Sequence, residues 1–194
     1  MDTPLTILGI AGSLREDSFN RAALRAAQQL VPKGATLEIF DLKGIPPFNQ
    51  DEEGHPPERV VEFKRRIRAA DAILFVTPEY NYSIPGVLKN AIDWASRPYG
   101  ENSWDGKPVA VMGASIGPLG TSRAQYHLRQ VFVFLNMFPL NRPEVMITNA
   151  AHRFDERGNL VDEDTRAHIR KLLEALTAWT KYHEGGRRAA SANA

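Results

Sequence analysis

The strongest constraint on this chain is an alternation, repeated five times, of a short apolar run with a stretch of helical periodicity. Residues 5–11 (LTILGIA) are β-rich and stop at Gly12, whereas Phe19, Ala22, Ala23, Ala26, Ala27 and Leu30 recur at helical spacing until Pro32 and Gly34 end the pattern. Residues 36–42 alternate as a strand with one exposed face would, and a loop rich in Gly, Pro and acids leads to a second helix over 58–70. Residues 72–77 (AILFVT) and 108–114 (PVAVMGA) are almost wholly apolar, which predicts strands covered on both faces. Further helices are predicted over 87–95, 123–137 and 162–183, and a fifth strand over 144–148.

Strand and helix in regular alternation imply a parallel sheet with helices on both faces. Five units within 194 residues fit an α/β, flavodoxin-like, doubly wound five-stranded parallel sheet of order 2-1-3-4-5. One domain is expected over 1–183, with 184–194 as a tail without structure, because its end, GGRRAASANA, offers no apolar face. The formal net charge of +1 gives no global field to recruit nucleic acid or an anionic membrane. The absence of cysteine excludes disulfides, thiolate metal sites and a Cys nucleophile, so any redox work must pass through something bound. His55, His127, His152, His168 and His183 form no HxH or HxxxH pair, and no metal site is predicted. The first ten residues lack a basic segment and a cleavage site, and no apolar run approaches the ~20 residues of a membrane span, which favours the cytoplasm.

Three unusual loops each follow an apolar strand: GSLREDSFN, PEYNYSIPG and SIGPLGTS. In the order 2-1-3-4-5 the strands before them are neighbours, so the loops converge where open α/β sheets bind ligands. The first loop offers hydroxyl and amide donors from Ser13, Ser18 and Asn20, the guanidinium fork of Arg15, and the N-terminus of the following helix, a set suited to a phosphate. A bare helix cap explains one hydroxyl and not four donors. Neither a Walker loop nor the GxGxxG fingerprint is present, so a monophosphate fits better than a dinucleotide pyrophosphate. The second loop holds flat surface and amides between Pro78 and Pro85, suited to a planar heterocycle. Trp94, in the helix behind it, reads as core. Ser115 sits in GxSxG, and Asp155 and His168 follow in hydrolase order, but Pro118 and Gly120 delay the helix that a nucleophile elbow requires. The small residues from Ser115 to Gly120 instead allow backbone to approach a ring closely. On the fourth helix His127, with Arg123, Tyr126 and Arg129 near one face, marks either a solvated surface or a subunit contact.

Together, GSLREDSFNR, TPEYNYSIPGVLKNAIDW and the stretch from Ser115 to Gln130 resemble the NAD(P)H-dependent FMN reductase family, nearest to its bacterial quinone and chromate reductase branch. The resemblance implies FMN held non-covalently, its phosphate at Ser13, Arg15, Ser18 and Asn20 with Phe19 alongside. It implies a flavin lined by Pro78, Glu79, Tyr80 and Asn81, mainly through backbone groups, with Ser115 and Gly117 closing the ring side. It further implies a homodimer or homotetramer, with Arg123, Tyr126 and Glu144 near subunit contacts. Many relatives pair glycines before the arginine, whereas Thr121 and Ser122 follow Gly120 here, a bulkier loop expected to alter how substrate approaches. The activity so implied is hydride transfer from NADPH or NADH through FMN to a small-molecule electron acceptor such as a quinone, free flavin, azo compound or chromate. No catalytic acid is nominated, because the cofactor carries the reaction. The competing reading is a flavodoxin-type electron carrier, against which the lack of a strongly acidic surface argues.

Overall fold

The computed structural model describes residues 4–192, with side chains over 4–186. Strands β1 (Leu5–Ala11), β2 (Ala35–Phe40), β3 (Ala72–Val76) and β4 (Pro108–Ala114) alternate with helices α1 (Phe19–Gln29), α2 (Glu58–Ala69) and α3 (Gly86–Ala95). Helix α4 (Ser122–Phe134) follows β4, then β5 (Phe138–Pro139), β6 (Val145–Ile147) and α5 (Glu163–Ala192). All pairings are parallel in the order β2-β1-β3-β4-β5, with β6 also on β4, the doubly wound topology that the alternation predicts. Every residue of β3 and β4 is buried, as strands covered on both faces require.

The fifth strand position departs from the expectation of one strand over 144–148. It is filled by two pieces: β5 pairs with Pro108 and Val109 at the start of β4, and β6 with Met112, Gly113 and Ala114 at its end. Pro139 and Pro143 lack the N–H that a continuous ladder needs, so the chain leaves the sheet between them. A two-residue strand ending in proline leaves no period-2 pattern to read. At the other end, the backbone of α5 continues helical past Glu184, the start of the expected tail, to Ala192. The arginine–alanine run there favours helix and offsets the cost of Gly185 and Gly186. Residues 193 and 194 of that tail, like residues 1–3, lie outside the described residues.

The sheet separates two apolar layers. α1 and α5 cover one face with Leu24, Leu172 and Leu176 against Ile7, Leu74 and Met112. α2, α3 and α4 cover the other with Phe63, Ile92 and Phe132 against Leu8, Phe75 and Val111. Trp94 is core, as expected, and its indole N–H donates to Pro46 O at 2.9 Å. One turn earlier the Asn90 amide donates to the same carbonyl at 2.8 Å and accepts Phe48 N at 2.7 Å. Residues at i and i+4 of one helix face therefore pin the long loop after β2.

Asp162 caps α5: its Oδ2 accepts the backbone N–H of Thr165 at 2.9 Å and the Thr165 hydroxyl, while Oδ1 accepts from Arg153 at 2.6 Å. These bonds, the Thr165 hydroxyl first, lower its carboxyl from the ordinary 3.8 to about 2. A depressed native pKa stabilises the fold above the unfolded value, and that contribution is lost as pH falls from about 4 toward 2. Asp162→Ala is expected to cost about 1 kcal/mol at neutral pH. The deficit should shrink in denaturant titrations repeated toward pH 2, because the parent then loses its own cap.

Candidate functional site

The C-terminal ends of β1, β3 and β4 lie side by side, and the three loops leaving them enclose a cleft of about 260 Å³. Its walls are Ser13, Arg15, Ser18, Phe19 and Asn20 from the first loop, Pro78, Glu79 and Tyr80 from the second, and Ala114, Ser115 and Ile116 from the third. Of the expected site residues, only Asn81 and Gly117 are not among them. Ala114 and Ile116 were not anticipated. A lone isoleucine, exposed inside a Gly- and Pro-rich loop, is the one trace Ile116 left in the sequence.

The local bonding turns the first loop into a donor set. Ser13 Oγ accepts Arg15 N at 3.4 Å, and Ser18 Oγ, the N-cap of α1, accepts Asn20 N at 3.2 Å. Each hydroxyl thus has an acceptor lone pair occupied by backbone and keeps its hydrogen to donate. Both serines are buried while Arg15, Glu16 and Asp17 are exposed, and neither acid lines the cleft. Asn20 does something else. Its Oδ1 accepts Ala114 N at 2.8 Å and its Nδ2 donates to Ala114 O at 2.9 Å, so its amide clamps α1 to the end of β4. That makes Asn20 the residue that holds the first and third loops in register.

The second loop makes a tight turn in which Tyr80 N donates to Ser83 O at 3.0 Å and Ser83 N to Tyr80 O at 2.9 Å. Asn81 (φ 50°) and Tyr82 (φ 66°) both adopt positive φ, as the central residues of a type I′ turn do. Positive φ is uncommon for a bulky tyrosine and marks a conformation held by its surroundings. Those surroundings are α4. The Glu79 carboxylate, 6% exposed, accepts the backbone N–H groups of Arg123 and Ala124 at 3.0 and 3.1 Å and pairs with the Arg123 guanidinium. That guanidinium lies 3.7 Å from the centroid of the Tyr82 ring, and His127 Nδ1 meets Ser83 Oγ at 3.0 Å. The charge of Glu79, a residue of the cleft wall, therefore satisfies the N-terminus of α4.

The third loop is stapled to the segment after β6: Ser115 N donates to Ile147 O, Ala150 N to Ser115 O, and Asn149 N to Gly117 O. Ser115 Oγ accepts Gly117 N at 3.1 Å. The hydrolase reading fails on position. Ser115 lines the cleft, Asp155 a groove on the far side of α1, and His168 a third cavity beside β6, where its Nδ1 meets Asp164 O. Helix α4 begins only at Ser122, so no elbow forms. Thr121 is fully buried with its hydroxyl packed on Gly113 and accepting from Gln125. Its bulk is spent on the core side and does not narrow the cleft.

An open cleft of this size, with two serine hydroxyls and a guanidinium at the α1 N-terminus and Pro78 to Tyr80 and Ala114 to Ile116 along its other walls, fits a phosphorylated planar heterocycle. Fold and site together define a flavodoxin-like, cofactor-binding oxidoreductase. Residues 5–152 match the model of the NADPH-dependent FMN reductase family, and the chain belongs to that family. It is 54% identical over 187 residues to the NAD(P)H-dependent FMN reductase of Pseudomonas aeruginosa, covering 95% of this chain and 100% of that one. To a 2-hydroxy-1,4-benzoquinone reductase of a Burkholderia species it is 45% identical over 177 residues, covering 91% and 97%. Among solved structures, the flavoenzyme NAD(P)H:(acceptor) oxidoreductase of Paracoccus denitrificans superposes with a TM-score of 0.83 at 39% identity, covering 92% and 98%. The protein is an enzyme of the FMN- and NAD(P)H-dependent class. Among the described residues, no helix is long and apolar enough to cross a membrane.

Proposed function

We propose that the cleft holds FMN with its phosphate on Ser13, Ser18 and Arg15 and its ring edge along the backbone of Pro78 to Tyr80 and Ser115, and that the enzyme reduces quinones and related small oxidants at the expense of NAD(P)H. The observation that carries this is the convergence of three loops on one cleft whose serines are held with their hydrogens free to donate. When bound, FMN supplies the two-electron chemistry between a reduced nicotinamide and an acceptor. The protein's part is to bind, orient and limit access. The Glu79 carboxylate is committed to α4 and Arg123, so it is not assigned as a proton donor. The quinone reductase names of its relatives support quinones as first acceptors; free flavin, azo compounds and chromate are the further range that the family resemblance implies.

We infer a homodimer or homotetramer acting in the cytoplasm. The supporting feature is the outer face of α4, where Tyr126, Val133 and Phe134 stand 53%, 81% and 80% exposed, an apolar surface a monomer rarely leaves open. The Glu79–Arg123–Tyr82 network at the cleft rim adjoins that face, so a second copy docked there would lie next to the site.

Arg15→Ala tests the phosphate assignment. Loss of one charge-assisted contact is expected to weaken FMN binding about tenfold or more, with the thermal stability of the apoprotein unchanged because Arg15 is exposed. Unaltered FMN affinity, read by fluorescence quenching of the flavin, would remove Arg15 from the site.

A further inference from the structure

On the other side of the first loop lies a second cavity, a groove of about 480 Å³ between the first turns of α1 and the segment 151–158. Arg15, Ser18 and Phe19 line both cavities, so the groove adjoins the cleft across the first loop. Its cationic groups are Arg15, Arg25 and Arg157, and none of them forms a salt bridge among the described residues. Eight other arginines do. Three guanidinium groups without a salt bridge on one concave surface offer charge-assisted donors to an anion.

The remaining lining completes the chemistry. Phe19 and Phe154 form an aromatic floor with ring centroids 5.4 Å apart. Gly158, at φ 74°, lets the Arg25 guanidinium lie across the turn, since a Cβ there would come within 3.2 Å of its Nη2. The groove also carries three acids. Asp155 is spent inside the turn, accepting from Arg157 N, Asn159 N and the Asn159 amide. Asp17 and Glu156 stand exposed on the wall, acceptors for a ribose diol. Guanidinium groups, an aromatic platform and carboxylate acceptors together match a nucleoside phosphate better than a bare anion, which the acids would repel.

We propose that this groove binds the AMP half of the nicotinamide dinucleotide, with Arg25 and Arg157 on its phosphates, while the nicotinamide end reaches the cleft. The assignment rests on the flavin reading above, because it is the flavin that gives the nicotinamide a reason to enter the cleft. Arg25 and Arg157 then set the affinity for the reductant without touching FMN.

The test is the double variant R25A/R157A, first loaded with FMN and titrated calorimetrically with NADP⁺ and with NAD⁺, then assayed with NADPH, NADH and a dihydronicotinamide riboside that lacks the AMP half. Dinucleotide affinity is expected to fall, and KM for NADPH or NADH to rise, at least tenfold. FMN affinity, and kcat/KM with the truncated reductant, should stay at parental values. A larger loss for NADPH than for NADH places the ribose phosphate on the arginines, and an equal loss places the pyrophosphate there; both support the groove. Unchanged dinucleotide affinity, or an equal loss with the truncated reductant, overturns it. A parental protein that takes up no FMN fails differently, since it removes the flavin reading and this assignment with it.

Discussion

Gly113→Ala is expected to destabilise the protein by about 3 kcal/mol or more, the upper range for overpacking a core. A Cβ at this position would lie 2.0 Å from Thr121 Oγ1 and 2.3 Å from the backbone oxygen of Thr77. The first neighbour is a side-chain hydroxyl that can rotate away. The second is main chain at the end of β3, where Thr77 N already donates to Met112 O, and moving it disturbs the start of the second loop. Thermal or urea denaturation of the variant should therefore show the loss, and FMN uptake should fall with it. Adding Thr121→Gly should restore only part of the stability, because the clash with Thr77 O remains. Full rescue would mean that the hydroxyl alone made the crowding and that the Thr77 backbone is free to move.

Asn20→Ala is expected to cost about 2–6 kcal/mol, since it leaves both the N–H and the C=O of Ala114 without a partner at about 1–3 kcal/mol each. Asn20 is 3% exposed and Ala114 likewise 3%, so water does not readily replace the amide. Against a total stability of about 5–15 kcal/mol, this is a large fraction. The distinguishing feature is that the loss appears in the apoprotein. A side chain whose task is only to meet a phosphate would leave the apoprotein as stable as before and lower FMN affinity alone. Asn20→Asp keeps the bond from Ala114 N, sets a carboxylate oxygen against Ala114 O, and adds negative charge at the phosphate end of the cleft. It should bind FMN more weakly than Asn20→Ala at equal pH.

These two residues show where sequence reading reaches its limit. GSLREDSFN identifies Asn20 as a polar residue at the start of a helix, which is enough to place it at the site. Its partner, Ala114, is 94 residues away, and nothing in a lone alanine announces a main-chain clamp. Glu79 repeats the lesson: a carboxylate in PEYNYS reads as part of the cleft wall, whereas its charge is matched to Arg123 and the N-terminus of α4, 44 residues on. The strands β1, β3 and β4 were legible because burial on both faces forces an unbroken apolar run. β5 was not, because two residues carry no period and its pairing is with Pro108 and Val109, some thirty residues earlier in the chain. Residues whose role is local, such as the Ser18 cap, were readable from the chain. Those whose role is to join distant segments were not.

The claim on which the function depends is that one flavin mononucleotide sits where the three loops meet. Its most direct measurement is a titration of the apoprotein with FMN, followed by flavin fluorescence and visible absorbance, and completed by anaerobic addition of NADPH. The account predicts saturation at one FMN per chain, a yellow protein, and rapid bleaching by the reductant. A protein that quenches no flavin fluorescence and stays colourless after gel filtration would contradict it.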